Sequence, residues 1–236
     1  MKTLKVMTFN TQHCMNYLTE KIDFEVMAAA IRKEEPDIVG LNEMRGAGQN
    51  EEYAAQVDIL SELTGMKYFH FAPAIEFPGG GPYGNGFLSR LPIVKAETVM
   101  IPDPEEKKYD GYYETRCILK ATLEGGITVL CSHFGLNPDE LENAVSTVVE
   151  NLSPEKCILM GDFNMKPEDN TLLSIRAKMR DTADAFEGER LSWPSDAPRV
   201  KIDYVFVSPD VEVLSADIPA TVASDHRPHV ATVKIG

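Results

Sequence analysis

With 236 residues, 43% of them apolar and 25% charged, the chain has the make-up of a folded globular protein and stands apart from the disordered and membrane classes. Thirty-seven acidic against 23 basic side chains give a formal charge of −14, a field that repels polyanions at long range. No basic run exceeds two residues, as at Lys107–Lys108, so a protein that lives on bulk nucleic acid through many phosphate contacts is disfavoured.

In chain order, the Met-Lys-Thr-Leu-Lys-Val-Met-Thr-Phe-Asn start enters a strand over residues 4–10 with no signal-peptide stretch. No run of about 18 apolar residues follows anywhere, so a cytoplasmic protein without membrane association is expected. A helix is predicted over 24–34, a strand over 37–43, and a second helix over 51–64 closed by Gly65. Strands follow at 67–72 and 85–91, separated by Pro78-Gly-Gly-Gly-Pro82, a loop whose composition allows close approach to a ligand. Residues 116–123 and 127–134 read as an antiparallel hairpin around Gly125-Gly126.

The helix over 137–152 carries its entry signals, with Asn137 as cap, Pro138 in the first position, and Asp139 and Glu140 in the first turn. A strand over 157–164, a helix within 168–185, and strands over 201–208 and 229–235 complete the chain. Several strands, such as Ile158-Leu-Met160, are apolar without alternation, as expected where both faces are covered. Two mixed sheets packed on each other with helices outside satisfy this pattern within a single domain over 1–236. Cys14, Cys117, Cys131 and Cys157 show no metal-ligand spacing and are expected as buried free thiols.

The informative pattern is chemical: apolar strands repeatedly finish in Asn, Asp, Glu or His, at Asn10, Asn42-Glu43, His133, Asp162-Phe-Asn164 and Asp203. Met7-Thr-Phe-Asn10, Leu41-Asn-Glu43, Asn85-Gly-Phe-Leu-Ser-Arg-Leu-Pro-Ile93, Ser132-His133, Met160-Gly-Asp-Phe-Asn164, Ile202-Asp-Tyr204 and Ser224-Asp-His226 then occur in one order. In that wording the chain resembles the endonuclease/exonuclease/phosphatase superfamily nearly end to end. Members include deoxyribonuclease I, abasic-site endonucleases, neutral sphingomyelinases, inositol polyphosphate 5-phosphatases, deadenylases and tyrosyl-DNA phosphodiesterases. The resemblance implies a deoxyribonuclease I-like, four-layer α/β/β/α sandwich of the α+β class and a hydrolase of phosphate esters.

It also implies roles. Glu43 is the principal metal ligand with Asn10 beside it, and Asp225 completes that shell or binds a second ion. Oxygen donors without Cys select Mg²⁺, with Mn²⁺ as the other candidate. Asp162 orients or deprotonates the attacking water and Asn164 donates to the phosphate. The two positions are expected on one face of the sheet, with a turn or cap role as the alternative. His226 pairs with Asp203 and stabilises charge on the phosphoryl group, as does His133. Asn85 is expected to contact phosphate oxygens, and Arg116 either to contact substrate or to pair with Glu114.

His13 is close enough in sequence to Asn10 to reach this cup. His70 and His229 are assigned no chemistry, and Trp193 and Tyr112-Tyr113 are open between pocket lining and packing. A small phosphomonoester or diester and a monomeric protein are expected. A DNA/RNA nuclease or DNA-repair phosphodiesterase is the second reading, and a catalytically silent binding module the third.

Overall fold

The computed structural model describes residues 1–49 and 54–236. In chain order its elements are β1 (Lys2–Asn10), β2 (Met15–Asn16), β3 (Lys21–Ile22), α1 (Phe24–Glu34), β4 (Ile38–Arg45), α2 (Gln56–Thr64), β5 (Tyr68–Phe77) and β6 (Gly81–Ser89). They continue with β7 (Ile93–Met100), β8 (Cys117–Leu123), β9 (Ile127–His133), α3 (Pro138–Asn151), β10 (Cys157–Asp162) and α4 (Leu173–Arg176). The last are β11 (Arg180–Asp181), β12 (Asp203–Val207), β13 (Glu212–Asp217) and β14 (His229–Ile235). One six-stranded sheet runs β13-β14-β1-β4-β6-β5 and the other β11-β12-β10-β9-β8-β7, while β2 and β3 form a small separate ribbon.

Each large sheet has one parallel pair at its centre, β1 with β4 and β9 with β10, flanked by antiparallel neighbours. Parallel strands need a crossover, which α1 and α3 supply from the outer faces. Both strands of a parallel pair end on the same side. Asn10 therefore lies beside Asn42 in one sheet, and His133 beside Asp162 in the other.

The burial pattern accounts for the four layers. Val6, Ile38, Val129, Ile158, Met160 and Val205 fill the space between the sheets. Their neighbours point the other way: Met7, Phe9, Val39 and Leu41 pack with Met27 and Ile31 of α1 and Leu60 of α2. Leu130, Leu159 and Phe206 pack with Leu141, Ala144 and Val148 of α3. Each fully buried aliphatic contributes roughly 1.5–3 kcal/mol, so a strand covered on both faces is held from both sides. The sheets approach closely at Gly40, where a Cβ would lie 2.6 Å from Met160 Sδ and 2.8 Å from Cys131 Sγ. All four cysteines are buried free thiols.

Among the described residues, no helix is long and apolar enough to cross a membrane. The α+β sandwich expected from the sequence is the observed one. Its details differ in four places. The Pro78–Pro82 loop is the turn of a long β5–β6 hairpin. Strands β7 and β13 were not predicted. The predicted helix 51–64 is observed as Gln56–Thr64, with residues 51–53 outside the described residues.

The helix predicted within 168–185 is observed as the short α4, flanked by two 3-10 turns that start where Asp169 accepts from Thr171 N (2.8 Å) and Asp181 from Ala183 N (3.0 Å).

Candidate active site

Two asparagines of the first sheet hold one aspartate of the second, one through its carboxylate and one through its backbone N–H. Asn10 Nδ2 donates to Glu43 Oε1 (2.9 Å) and to Asp162 Oδ2 (3.0 Å). Asn42 Oδ1 accepts from Asp162 N (3.0 Å), while its Nδ2 donates to Asn85 Oδ1 (2.8 Å). Asn10, Asn42 and Asp162 are buried, so these bonds form in a low-dielectric interior where a satisfied polar network specifies one arrangement.

The backbone that presents Asp162 is unusual. Gly161 has φ +145°, and a Cβ there would lie 1.8 Å from the Ser132 carbonyl oxygen, so this position requires glycine. Asp162 Oδ1 accepts from Asn164 N (3.0 Å), and Asn164 has φ 51°. The two side chains are thus joined by a tight turn beyond the end of β10, which replaces the expected same-face strand alternation.

The aromatic after each polar residue locks the strand ends. Phe134 and Phe163 stack at 4.3 Å between ring centroids and Phe163 and Tyr204 at 5.2 Å, with Phe206 extending the stack. Such pairs contribute about 0.5–1.5 kcal/mol each beyond their burial. They anchor His133, Asp162 and Asp203, which precede them in sequence.

His226 and Asp203 form a buried pair, Nδ1 to Oδ2 at 2.8 Å. The other imidazole nitrogen lies 3.6 Å from Asp162 Oδ2 and 3.9 Å from Asp225 Oδ2. Burial opposes the charged ring, but the carboxylates of Asp203, Asp162 and Asp225 together overcome it and raise its pKa to about 10. Asp162 is pushed up to about 7, by burial first and by the charge of Asp203, against the opposing pull of His226. Ser192 Oγ accepts from Ile202 N and Asp203 N, fixing where β12 begins.

His133 has a different state. Burial, then Arg116 and His226, drive its pKa well below 6.5. Arg116 Nη1 lies 3.0 Å from Nδ1, where a guanidinium can only donate, and Asn164 Nδ2 lies 3.1 Å from Nε2. The same Nε2 is 3.5 Å from Asp162 Oδ2. Arg116 also pairs with Glu114 Oε1 at 2.7 Å, and Glu114 N is held by Glu140 Oε1 of α3 (3.1 Å). Of the two roles open for Arg116, the ion pair with Glu114 is the one observed.

Glu43 lies not at a strand end but in a bulge of β4, between Leu41 and Met44 in the ladder, with φ 60°. Burial raises its pKa first, Asp225 adds to this, and the Asn10 hydrogen bond opposes it. His13 Nδ1 lies 3.9 Å from Glu43 Oε2. Its pKa falls to about 4 through burial and Arg45, so it faces Glu43 as a neutral ring.

Two expected roles change. Asn85 is buried between the sheets, donating to the Cys117 carbonyl (2.9 Å) and accepting from Asn42, so it supports Asn42 instead of reaching a phosphate. Asn10 has a role beyond the expected one: its Oδ1 takes the Gln12 N–H (3.0 Å) and its Nδ2 spans two carboxylates, so it also orients Glu43 and Asp162. Asn164 Nδ2 donates to the Phe134 carbonyl (3.1 Å). His229 is fully buried, Nδ1 against the Asp203 carbonyl (3.2 Å) and Nε2 against Thr182 Oγ1 (3.0 Å), in keeping with a structural role.

Asn42 and Ser192 carried no assigned role in the sequence. Asn42 had a visible signal, a polar residue inside an apolar strand.

Asp162, Asp203 and His226 offer ligand atoms within 4.8 Å of one another. A cation there would have to displace a cationic ring already bound to both carboxylates, so this trio is better suited to moving protons. Glu43 and Asp225 suit a hard cation better. Both are oxygen donors, the charge of Asp225 adds to the cost of an ionised Glu43, and the Glu43 carboxylate is only partly compensated by Asn10.

The fold has known counterparts. A protein of Beutenbergia cavernae described as an endonuclease/exonuclease/phosphatase superposes with TM-score 0.79 at 23% identity, over 100% of this chain and 72% of that one. A mannosyl-6-phosphatase of Bacteroides thetaiotaomicron gives 0.74 at 16% identity over 98% and 100% of the two chains. Humanized D. rerio TDP2 gives 0.68 at 17% over 98% and 99%.

At these identities the likeness shows the fold. A comparison with curated proteins finds no significant sequence match. The model of the Endonuclease/Exonuclease/phosphatase family matches residues 7–226, a span that takes in Asn10, Glu43, His133, Asp162, Asp203 and His226. The chain therefore belongs to the endonuclease/exonuclease/phosphatase family, whose enzymes hydrolyse phosphate esters.

Proposed function

We propose that the chain is a Mg²⁺-dependent hydrolase that cleaves a small phosphate ester, monoester or diester, by in-line attack of water on phosphorus. The observation that carries this reading is the placement of Asp162. Its carboxylate sits where both sheets meet, held by Asn10 and the backbone of Asn164, with the His226 ring 3.6 Å away and Glu43 on the other side of Asn10.

Each residue then has a task. Asp162, titrating near neutrality through burial, orients the water and takes its proton. His226 is an imidazolium at pH 7, and its outward N–H meets charge that builds on the phosphoryl oxygens. Asp203 holds that ring in place and keeps it charged. His133, a neutral ring held at Nδ1 by Arg116, faces the same oxygens through Nε2. Asn164, whose Nδ2 also donates to the Phe134 carbonyl, supplies an amide donor beside that ring. Glu43 and Asp225 would hold the divalent cation, which when bound neutralises phosphoryl charge and eases departure of the leaving oxygen.

A small substrate is supported by the charge of −14, which disfavours long polyanions, and by the mannosyl-6-phosphatase built on the same fold. The test is a panel of synthetic phosphomonoesters and diesters, with Mg²⁺ and then with EDTA. Turnover of at least one small ester, abolished by EDTA and restored by Mg²⁺, is expected. Turnover that survives EDTA, or cleavage of nucleic acid with no activity on small esters, contradicts the proposal.

A further inference from the structure

Glu43 and the turn that follows β1 are held in backbone conformations that side-chain-bearing residues rarely adopt. Gln12, His13 and Cys14 have φ of 47°, 46° and 62° in succession, and Glu43 has φ of 60° within its bulge. Such conformations persist only where the surroundings over-determine them. One buried amide bridges the two segments. Gln56, the first residue of α2, is fully buried; its Nε2 donates to the His13 carbonyl (2.8 Å) and its Oε1 accepts from Arg45 N (2.9 Å).

That side chain joins the left-handed turn after β1 to the strand just past the bulge, two residues beyond Glu43. Thr11 reinforces the same join, its hydroxyl lying within reach of the Asn42 carbonyl (3.2 Å) and Met44 Sδ (3.2 Å). Removing Gln56 breaks the side-chain bridge between the two segments.

We infer that Gln56 is a positioning residue for the cation site: by tying the His13 turn to Arg45 it fixes the bulge from which Glu43 reaches a divalent ion. Gln56 touches neither substrate nor ion and acts through backbone alone. The inference rests on the proposed cation-dependent function and adds to it the element that sets cation affinity. Groups that orient a ligand from behind typically change affinity by about 10–100-fold when lost.

The test is Mn²⁺ binding to the purified full chain, followed by calorimetry and by the paramagnetic resonance of the free ion, with no substrate present. Gln56→Leu removes both hydrogen bonds. Gln56→Glu keeps the acceptor for Arg45 N and loses the donor to His13. Ser61→Ala is the control, since Ser61 is buried in the same helix and bonds the Met66 carbonyl, away from the cup.

The inference expects Gln56→Leu to weaken Mn²⁺ binding at least about 10-fold, Gln56→Glu to fall between it and the unsubstituted chain, and Ser61→Ala to bind normally. Unchanged affinity in Gln56→Leu overturns it. Equal weakening in Ser61→Ala also overturns it, since α2 stability would then be the cause. A Gln56→Leu chain that fails to fold moves the decision to Gln56→Glu, where normal affinity overturns the inference. Absence of Mn²⁺ binding by the unsubstituted chain fails the proposed function itself, and this inference with it.

Discussion

Replacing Asp203 by Asn retains a side chain of the same shape against His226 while removing the charge that holds the ring protonated. In the intact site the ring titrates at about 10, against 6.5 for an unperturbed histidine. That rise amounts to roughly 5 kcal/mol in favour of the imidazolium, at about 1.4 kcal/mol per pKa unit. It is a net figure, since burial acts against it and Asp203 leads the groups acting for it.

In Asp203→Asn, Asp162 and Asp225 remain, at 3.6 and 3.9 Å, but the 2.8 Å partner is neutral. The ring is then expected to titrate well below its present value and to be largely neutral at moderately alkaline pH. Loss of a charged donor at the phosphoryl group lowers kcat by about 10²–10⁴-fold, with KM changed little.

Stability follows with a definite sign. A histidine whose folded pKa lies above its unfolded value contributes stability that is fully present below about pH 6.5 and lost as pH rises through about 10. The stability gap between the two proteins should therefore be widest near pH 6 and close toward pH 10. NMR titration of labelled histidine, steady-state kinetics and thermal melts at several pH values check these outcomes together. A His226 ring that still titrates near 10 in the variant, with turnover within two-fold, refutes the reasoning.

Three further outcomes follow from the geometry. Gly161→Ala sets a Cβ 1.8 Å from the Ser132 oxygen at φ +145° and should cost roughly 3 kcal/mol or more in urea unfolding; a loss under about 1 kcal/mol contradicts the close approach. His229 is fully buried and held neutral, its pKa lowered to about 3, so stability should fall by up to about 1.4 kcal/mol per pH unit as pH drops below 6.5. His229→Gln should flatten that slope in acid melts, and an unchanged slope counts against the assignment. Glu43→Gln should lower turnover by at least about 100-fold and raise the Mg²⁺ needed for half-activity; an unaltered Mg²⁺ requirement removes Glu43 from the cation site.

The fold was legible where burial leaves a one-dimensional trace. Strands covered on both faces appear as unbroken apolar runs, and α3 announces itself through Asn137, Pro138 and Glu140, whose carboxylate meets the Asn137 N–H at 3.1 Å. Edge strands leave a weaker trace: β7 and β13 mix Lys, Glu, Ser and Asp with apolar residues because one face meets solvent.

In the site, residue types were visible but backbone geometry was not. Asp162, His226 and Asp203 stand in recognisable motifs. Nothing in Leu41-Asn-Glu43 discloses a bulge, since the positive φ of Glu43 is imposed by contacts with residues far along the chain. Asn85 was misread for the same reason: its motif looks like a ligand-facing loop, and only pairing with Asn42 and Cys117 shows that it is buried.

The account depends above all on the joint action of Asp162 and His226 at one phosphorus centre. The most direct test is turnover of the best small phosphate ester by Asp162→Ala and His226→Ala, with far-UV circular dichroism verifying that each variant is folded. Both are predicted to lose at least about 10³-fold in kcat while keeping the unsubstituted protein's spectrum. Full turnover in either folded variant contradicts the account.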